Sequence, residues 1–171
     1  MGRIKIDYGI DLGTTNSALS RMENGEVVTS EIDQSRIVPS CVYIDQRGRI
    51  RAGIQAFNKY PHFIEFKRDM GVNIDYDTLD GNNTNPEKLS AELLKKLASE
   101  ITDEVFKSVV ITVPAAFELP QVSATKRAAE LVKPGTPHEE VSNSETDKCL
   151  DRFDKISYLI PHNLLTSFFK I

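Results

Sequence analysis

Cysteine is scarce in this chain of 171 residues: only Cys41 and Cys149 occur, far apart. That excludes a disulfide-held miniprotein, and two reduced thiols fit a cytoplasmic location. Tryptophan is absent, and the three histidines, His62, His138 and His162, lack the spacing of a zinc site. No apolar run approaches the roughly 20 residues that cross a bilayer. The opening Met1-Gly2-Arg3-Ile4-Lys5-Ile6-Asp7 has no signal-peptide core. Neither sign of charge dominates, since 21 Lys+Arg against 25 Asp+Glu leaves −4. Charge therefore gives no reason to expect nucleic acid or an anionic membrane as partner. What is present, 40% hydrophobic and 27% charged side chains, is the balance of a globular chain rather than a disordered or collagenous one. A chain of this length buries roughly 70% of its unfolded surface, enough for a core, and the length fits one domain, or one and a fragment.

Ile4, Ile6, Tyr8, Ile10 and Leu12 alternate with polar residues and glycine, which predicts a strand. Two more strands, 18–22 and 26–32, flank Asn24-Gly25, a hairpin signal because both residues accept positive φ. Residues 37–44 read as extended ahead of and beyond Pro39, 49–52 as a short strand after the turn at Gln46-Arg47-Gly48, and 54–60 as a short helix stopped by Pro61. Residues 68–85 are polar and turn-rich and read mostly as loop. Asn85 as cap, Pro86 at the first helical position and the stripe Leu89, Leu93, Leu94, Leu97 and Ile101 predict a helix. Residues 106–113 are too apolar for a half-exposed strand and predict a central one, followed by a helix over 119–132. After the breaker cluster Lys133-Pro134-Gly135-Thr136-Pro137 the text turns polar. Cys149, Leu150, Phe153, Ile156 and Ile160 then mark a helical stripe, and Leu164, Leu165, Phe168 and Phe169 a second one.

The sharpest motif is Asp11-Leu12-Gly13-Thr14-Thr15-Asn16-Ser17 at the end of the first strand. A carboxylate there serves a divalent cation lying between it and polyphosphate, because magnesium takes oxygen ligands and keeps several waters. Gly13 permits close backbone approach, and the following amides and hydroxyls can hold phosphate oxygens. The bland reading is a polar hairpin turn. Neither a Walker loop nor a dinucleotide fingerprint is present. Asp75-x-Asp77-x-x-Asp80-Gly81 approximates a calcium loop, but its third acid and glycine fall one place late, so it reads as a solvated acidic loop.

The opening motif resembles the nucleotide-binding domain of DnaK-type heat-shock chaperones, within the actin and sugar-kinase superfamily. Ile37-Val38-Pro39-Ser40, Phe66-Lys67-Arg68-Asp69-Met70-Gly71, and Val109 to Phe117 with Ala124-Thr125-Lys126 extend the resemblance in the same order, over about residues 4–132. It implies an α/β fold of the ribonuclease-H-like, actin-like ATPase type: an incomplete first lobe, a mixed sheet with flanking helices. Residues 1–38 with 106–132 would form the large subdomain, 39–105 a small upper subdomain, and 133–171 a divergent tail, helical from 149. The implied activity is magnesium-dependent ATP binding and hydrolysis. Gly13, Thr14 and Thr15 would grip phosphate, Asp11 would bind magnesium through water, and Lys67 would place a positive charge near the γ-phosphate and attacking water.

Departures from the family shape the expectation. Its second phosphate loop, glutamate-bearing helix and adenosine pocket have no counterpart in these 171 residues, so the chain reads as one wall of a cleft with poor activity alone. Val122 stands where many members have an arginine used in interdomain communication. Unfolded peptide clients and cochaperones are expected only in a full-length context. A lobe ending after 119–132 would leave an open edge on the strand at 106–113, to be covered by the helical tail or by self-association. A small-molecule kinase fragment of the same superfamily and a non-catalytic interaction module are the other readings. Phosphate transfer to a sugar would mark the first of these.

Overall fold

Residues 8–24, 26–99, 109–132 and the backbone of 156–161 are described by the structure, a computed structural model. In chain order the first strands are β1 (Tyr8–Asp11), β2 (Asn16–Glu23), β3 (Glu26–Thr29), β4 (Val38–Pro39), β5 (Cys41–Ile44) and β6 (Ile50–Ala52). Helix α1 (Ile54–Phe57) and β7 (Phe63–Ile64) precede a 3-10 turn over Phe66–Asp69. Then come β8 (Tyr76–Asp77), β9 (Asn83–Thr84), α2 (Pro86–Ser99), β10 (Val109–Val113), α3 (Leu119–Glu130) and β11 (Ile156–Pro161). Asn24 takes the positive φ of 49° that the β2–β3 hairpin requires. Asn85 caps α2, its Oδ1 accepting the Lys88 amide at 2.9 Å. A capping box, in which Glu118 and Gln121 exchange side-chain and backbone bonds, starts α3.

The main sheet runs in the order β11-β10-β1-β2-β3, with β4 paired to the start of β2. The β1–β2 and β2–β3 pairs are antiparallel, and β10 runs parallel to β1. β1 is central, and Tyr8, Gly9 and Ile10 are all buried. Every residue of β10 is buried too, as a strand covered on both faces must be. A second sheet, β6-β5-β7, and the two-stranded β8-β9 complete the strands. The stripe Leu89, Leu93, Leu94 and Leu97 of α2 is wholly buried and shares one core with Ile10, Leu12, Leu19, Val42 and Ile111. Among the described residues no helix is long and apolar enough to cross a membrane.

One expectation is corrected. The helix expected from 149 gives way over 156–161 to β11, which pairs in parallel with β10 across Val109–Val113. Ile156-Ser-Tyr-Leu-Ile160 is a short run rich in β-branched and aromatic residues, and the hydrogen-bonding edge of β10 favours a strand partner. The edge of the strand at 106–113, expected to be covered by a helical tail or by self-association, is covered over Val109–Val113 by a strand of this chain. The rest of the expected tail helices, 149–155 and 162–169, lies outside the described residues. The segment 68–85 is mostly turn and loop, as expected, with the short strands β8 and β9 within it. Asp80 accepts the Asn82 amide at 3.2 Å and the Asn82 side chain at 3.0 Å, and this turn joins β8 to β9.

Candidate functional site

The chain leaving β1 turns sharply through Leu12–Thr15 before β2 begins. A Cβ on Gly13 would lie 1.9 Å from the Asn16 carbonyl oxygen, so the turn closes only around glycine. Both peptide groups of Gly13 are held from within. Its N–H donates to Ser17 Oγ at 3.2 Å, and its carbonyl accepts from Ser40 Oγ at 2.8 Å. The two hydroxyls lie 2.9 Å apart and are both buried, and the Ser40 amide donates to the Thr15 carbonyl at 2.8 Å. The β2–β4 pairing, with Ser17 opposite Val38 and Asn16 opposite Pro39, delivers Ser40 to this loop.

Lys67 arrives from a different part of the chain, on the 3-10 turn. Phe66 anchors that turn in the main core, and Met70 packs with Phe117, Ala124 and Ala128. Gly71 takes φ +79° with its Cα against the backbone of Pro120, where a Cβ would come within 2.8 Å. Lys67 is 3% exposed. Burial draws its ammonium down to about 8, and the charge of Asp11 partly opposes that fall. The Nζ atom sits 5.5 Å from the centre of the Phe117 ring, a cation–π distance.

Asp11, Leu12, Gly13, Thr14, Lys67, Thr112, Val113 and Pro114 line one cavity of about 240 Å³. Of the five residues singled out from sequence, the structure gathers Asp11, Gly13, Thr14 and Lys67 there. Thr15 is exposed and outside the lining. The Gly13 amide points to Ser17, so the contribution of Gly13 here is room for the turn rather than a donor into the cavity. Sequence reasoning missed Thr112, whose hydroxyl donates to Asp11 Oδ1 at 2.8 Å. Its signal was a lone hydroxyl inside Val-Val-Ile-Thr-Val. The bracing role of Ser40 was missed as well.

Chemically the hollow offers a carboxylate, a threonine hydroxyl and a buried ammonium. Oxygen donors of this kind suit magnesium rather than a soft metal, so the residues fit that ion. The ammonium suits phosphate oxygens. The volume is below the roughly 300–1,000 Å³ of sites that enclose a whole small molecule, and it matches phosphate better than a complete nucleotide.

In comparison with protein families, the model for Hsp70 protein (HSP70) matches residues 7–80 and 54–133.

Proposed function

The chain belongs to the Hsp70 family, and from that premise we propose that its cavity is the phosphate- and magnesium-holding wall of an ATPase site. The fold is the mixed α/β arrangement of a partial actin-like ATPase lobe, and the family is one of ATP-binding heat-shock chaperones. One observation carries the proposal. Asp11, Gly13 and Thr14 at the end of β1 share a single cavity with Lys67, a residue remote in sequence, buried, and near enough to Asp11 to feel its charge.

In this reading Asp11 would hold magnesium through water, and that ion, when bound, would supply positive charge against phosphate oxygens. Thr14 presents its hydroxyl and amide to phosphate, and Gly13 keeps the loop tight. Lys67, desolvated and fixed by Phe66 and Met70, holds positive charge where negative charge grows during hydrolysis. Fixing that charge in advance is what makes a buried lysine useful, since no reorganisation is needed later. Residues 1–38 with 106–132 form the large subdomain and 39–105 the small one. Cys41, a buried free thiol, supports a cytoplasmic setting. Peptide clients and cochaperones engage this wall only through a full-length chaperone.

Hydrolysis depends on charge and positioning from both sides of such a cleft, and a misplacement of about 1 Å costs about 100-fold. Steady-state ATPase assays on the 171-residue chain test the reading. Turnover should be barely above the uncatalysed rate. Turnover equal to that of an intact chaperone, lost in Lys67→Ala, would show that these residues carry more of the site than proposed. Phosphate transfer to a sugar would favour the kinase reading instead.

A further inference from the structure

We infer that Thr112 is a positioning residue for the Asp11 carboxylate, holding it in the orientation in which it carries the magnesium–phosphate unit. This rests on the reading of Asp11 given above. The starting point is an anomaly of composition in β10. Val109, Val110, Ile111 and Val113 are apolar and at most 4% exposed, yet Thr112 among them is polar and 1% exposed. A buried hydroxyl is costly unless it is hydrogen-bonded. Valine has nearly the same shape and would fill the place without that cost.

The partner explains the choice. Thr112 donates to Asp11 Oδ1 at 2.8 Å. The parallel register sets Thr112 directly beside Asp11, so the two side chains leave the same face of the sheet. On its other side Asp11 is paired with Ala18, whose methyl group can donate nothing. Of the two cross-strand neighbours, Thr112 alone can hold the carboxylate. Its β-branched side chain is stiff about χ1, which makes the donor a fixed one. Both residues line the cavity with Lys67, so the bond fixes a group that faces the proposed ligand. Hydrogen bonds that orient a ligating carboxylate are worth about 10–100-fold in metal affinity.

The test is magnesium titration of ATP binding to the whole chain, with tripolyphosphate binding in excess EDTA as the metal-free arm. Thr112→Val should raise the magnesium concentration for half-maximal effect about tenfold, while metal-free binding stays within about twofold. Thr112→Ser, which keeps the donor, should restore most of the magnesium response. Thr112→Ala and Thr112→Ser form a second pair should the valine variant not fold, and they must split the same way. If Asp11→Ala abolishes the magnesium response and Thr112→Val leaves it unchanged, the inference falls alone. Equal weakening of both arms in Thr112→Val, with a lowered Tm, also overturns it, because Thr112 would then serve only the fold. If wild type and Asp11→Ala respond to magnesium identically, the reading of Asp11 falls and takes this inference with it.

Discussion

Ser40 donates its single hydroxyl hydrogen to the Gly13 carbonyl at 2.8 Å, and this bond orders the protons around the loop between β1 and β2. With that hydrogen committed, the 2.9 Å contact between Ser17 and Ser40 must run from Ser17 to Ser40. Ser17 in turn accepts the Gly13 amide at 3.2 Å. The result is a closed ring of three hydrogen bonds that begins and ends on one glycine, and bonds joined in this way strengthen one another.

Removing one hydroxyl from the ring should therefore be costly. Ser40→Ala strands a buried Ser17 hydroxyl and the Gly13 carbonyl, at a cost of about 2 kcal/mol. For a chain of this size that is a Tm lower by about 4–8 °C, accompanied by weaker tripolyphosphate binding. Thermal unfolding and calorimetry check both. An unchanged Tm would mean the ring contributes nothing.

How much of this was legible in the sequence follows from how local each signal is. The strand at β1, the capped helix α2 and the apolar β10 are written in short-range periodicity, and the motif 11–17 with Lys67 supplied five of the residues that line the cavity. The ring was hidden because Ser40 reaches Gly13 only through the register of β4 on β2, a pairing that no periodicity encodes. Thr112 was hidden for the same reason. β11 was misread because Ile156 and Ile160 fit a helical stripe as well as a strand, and a short apolar run satisfies both periods. The non-local edge of β10 decides between them.

Lys67 should give a pH signature in the unliganded chain. Its folded value of about 8 lies below its ordinary 10.5, first because of burial and against the opposing charge of Asp11. Above about pH 8 the unfolded chain binds more protons than the folded one, so this group makes stability rise with pH through that window to about 10.5. Lys67→Met should lack that rise and should be more stable at pH 7 by about 3 kcal/mol. Tyr76, raised by burial and by its bond to Asp69, contributes the opposite slope in both proteins and cancels in the difference. Denaturant unfolding from pH 7 to 10 decides. Parallel curves for the two proteins would contradict the assignment.

Truncation after Val132 removes β11 and bares the outer edge of Val109–Val113, a buried apolar strand. Unpaired edges of this kind pair with other chains. The shortened protein should aggregate under conditions where the 171-residue chain stays dispersed, as measured by light scattering. Amides within 156–161 should exchange more slowly than random coil in the intact chain. A soluble, monomeric truncation, together with coil-like exchange at 156–161 in the intact chain, would remove β11 from the account.

The most direct measurement is calorimetric titration of the whole chain with ATP and with GTP, each with and without magnesium, in wild type and Asp11→Ala. In the proposed reading a cavity of about 240 Å³ lined by Asp11, Gly13, Thr14 and Lys67 takes phosphate with a cation. Binding should accordingly be weak, nearly equal for the two nucleotides and strengthened by magnesium, and Asp11→Ala should abolish the magnesium effect. Tight binding with strong preference for adenine, or a magnesium effect that survives in Asp11→Ala, would contradict the account.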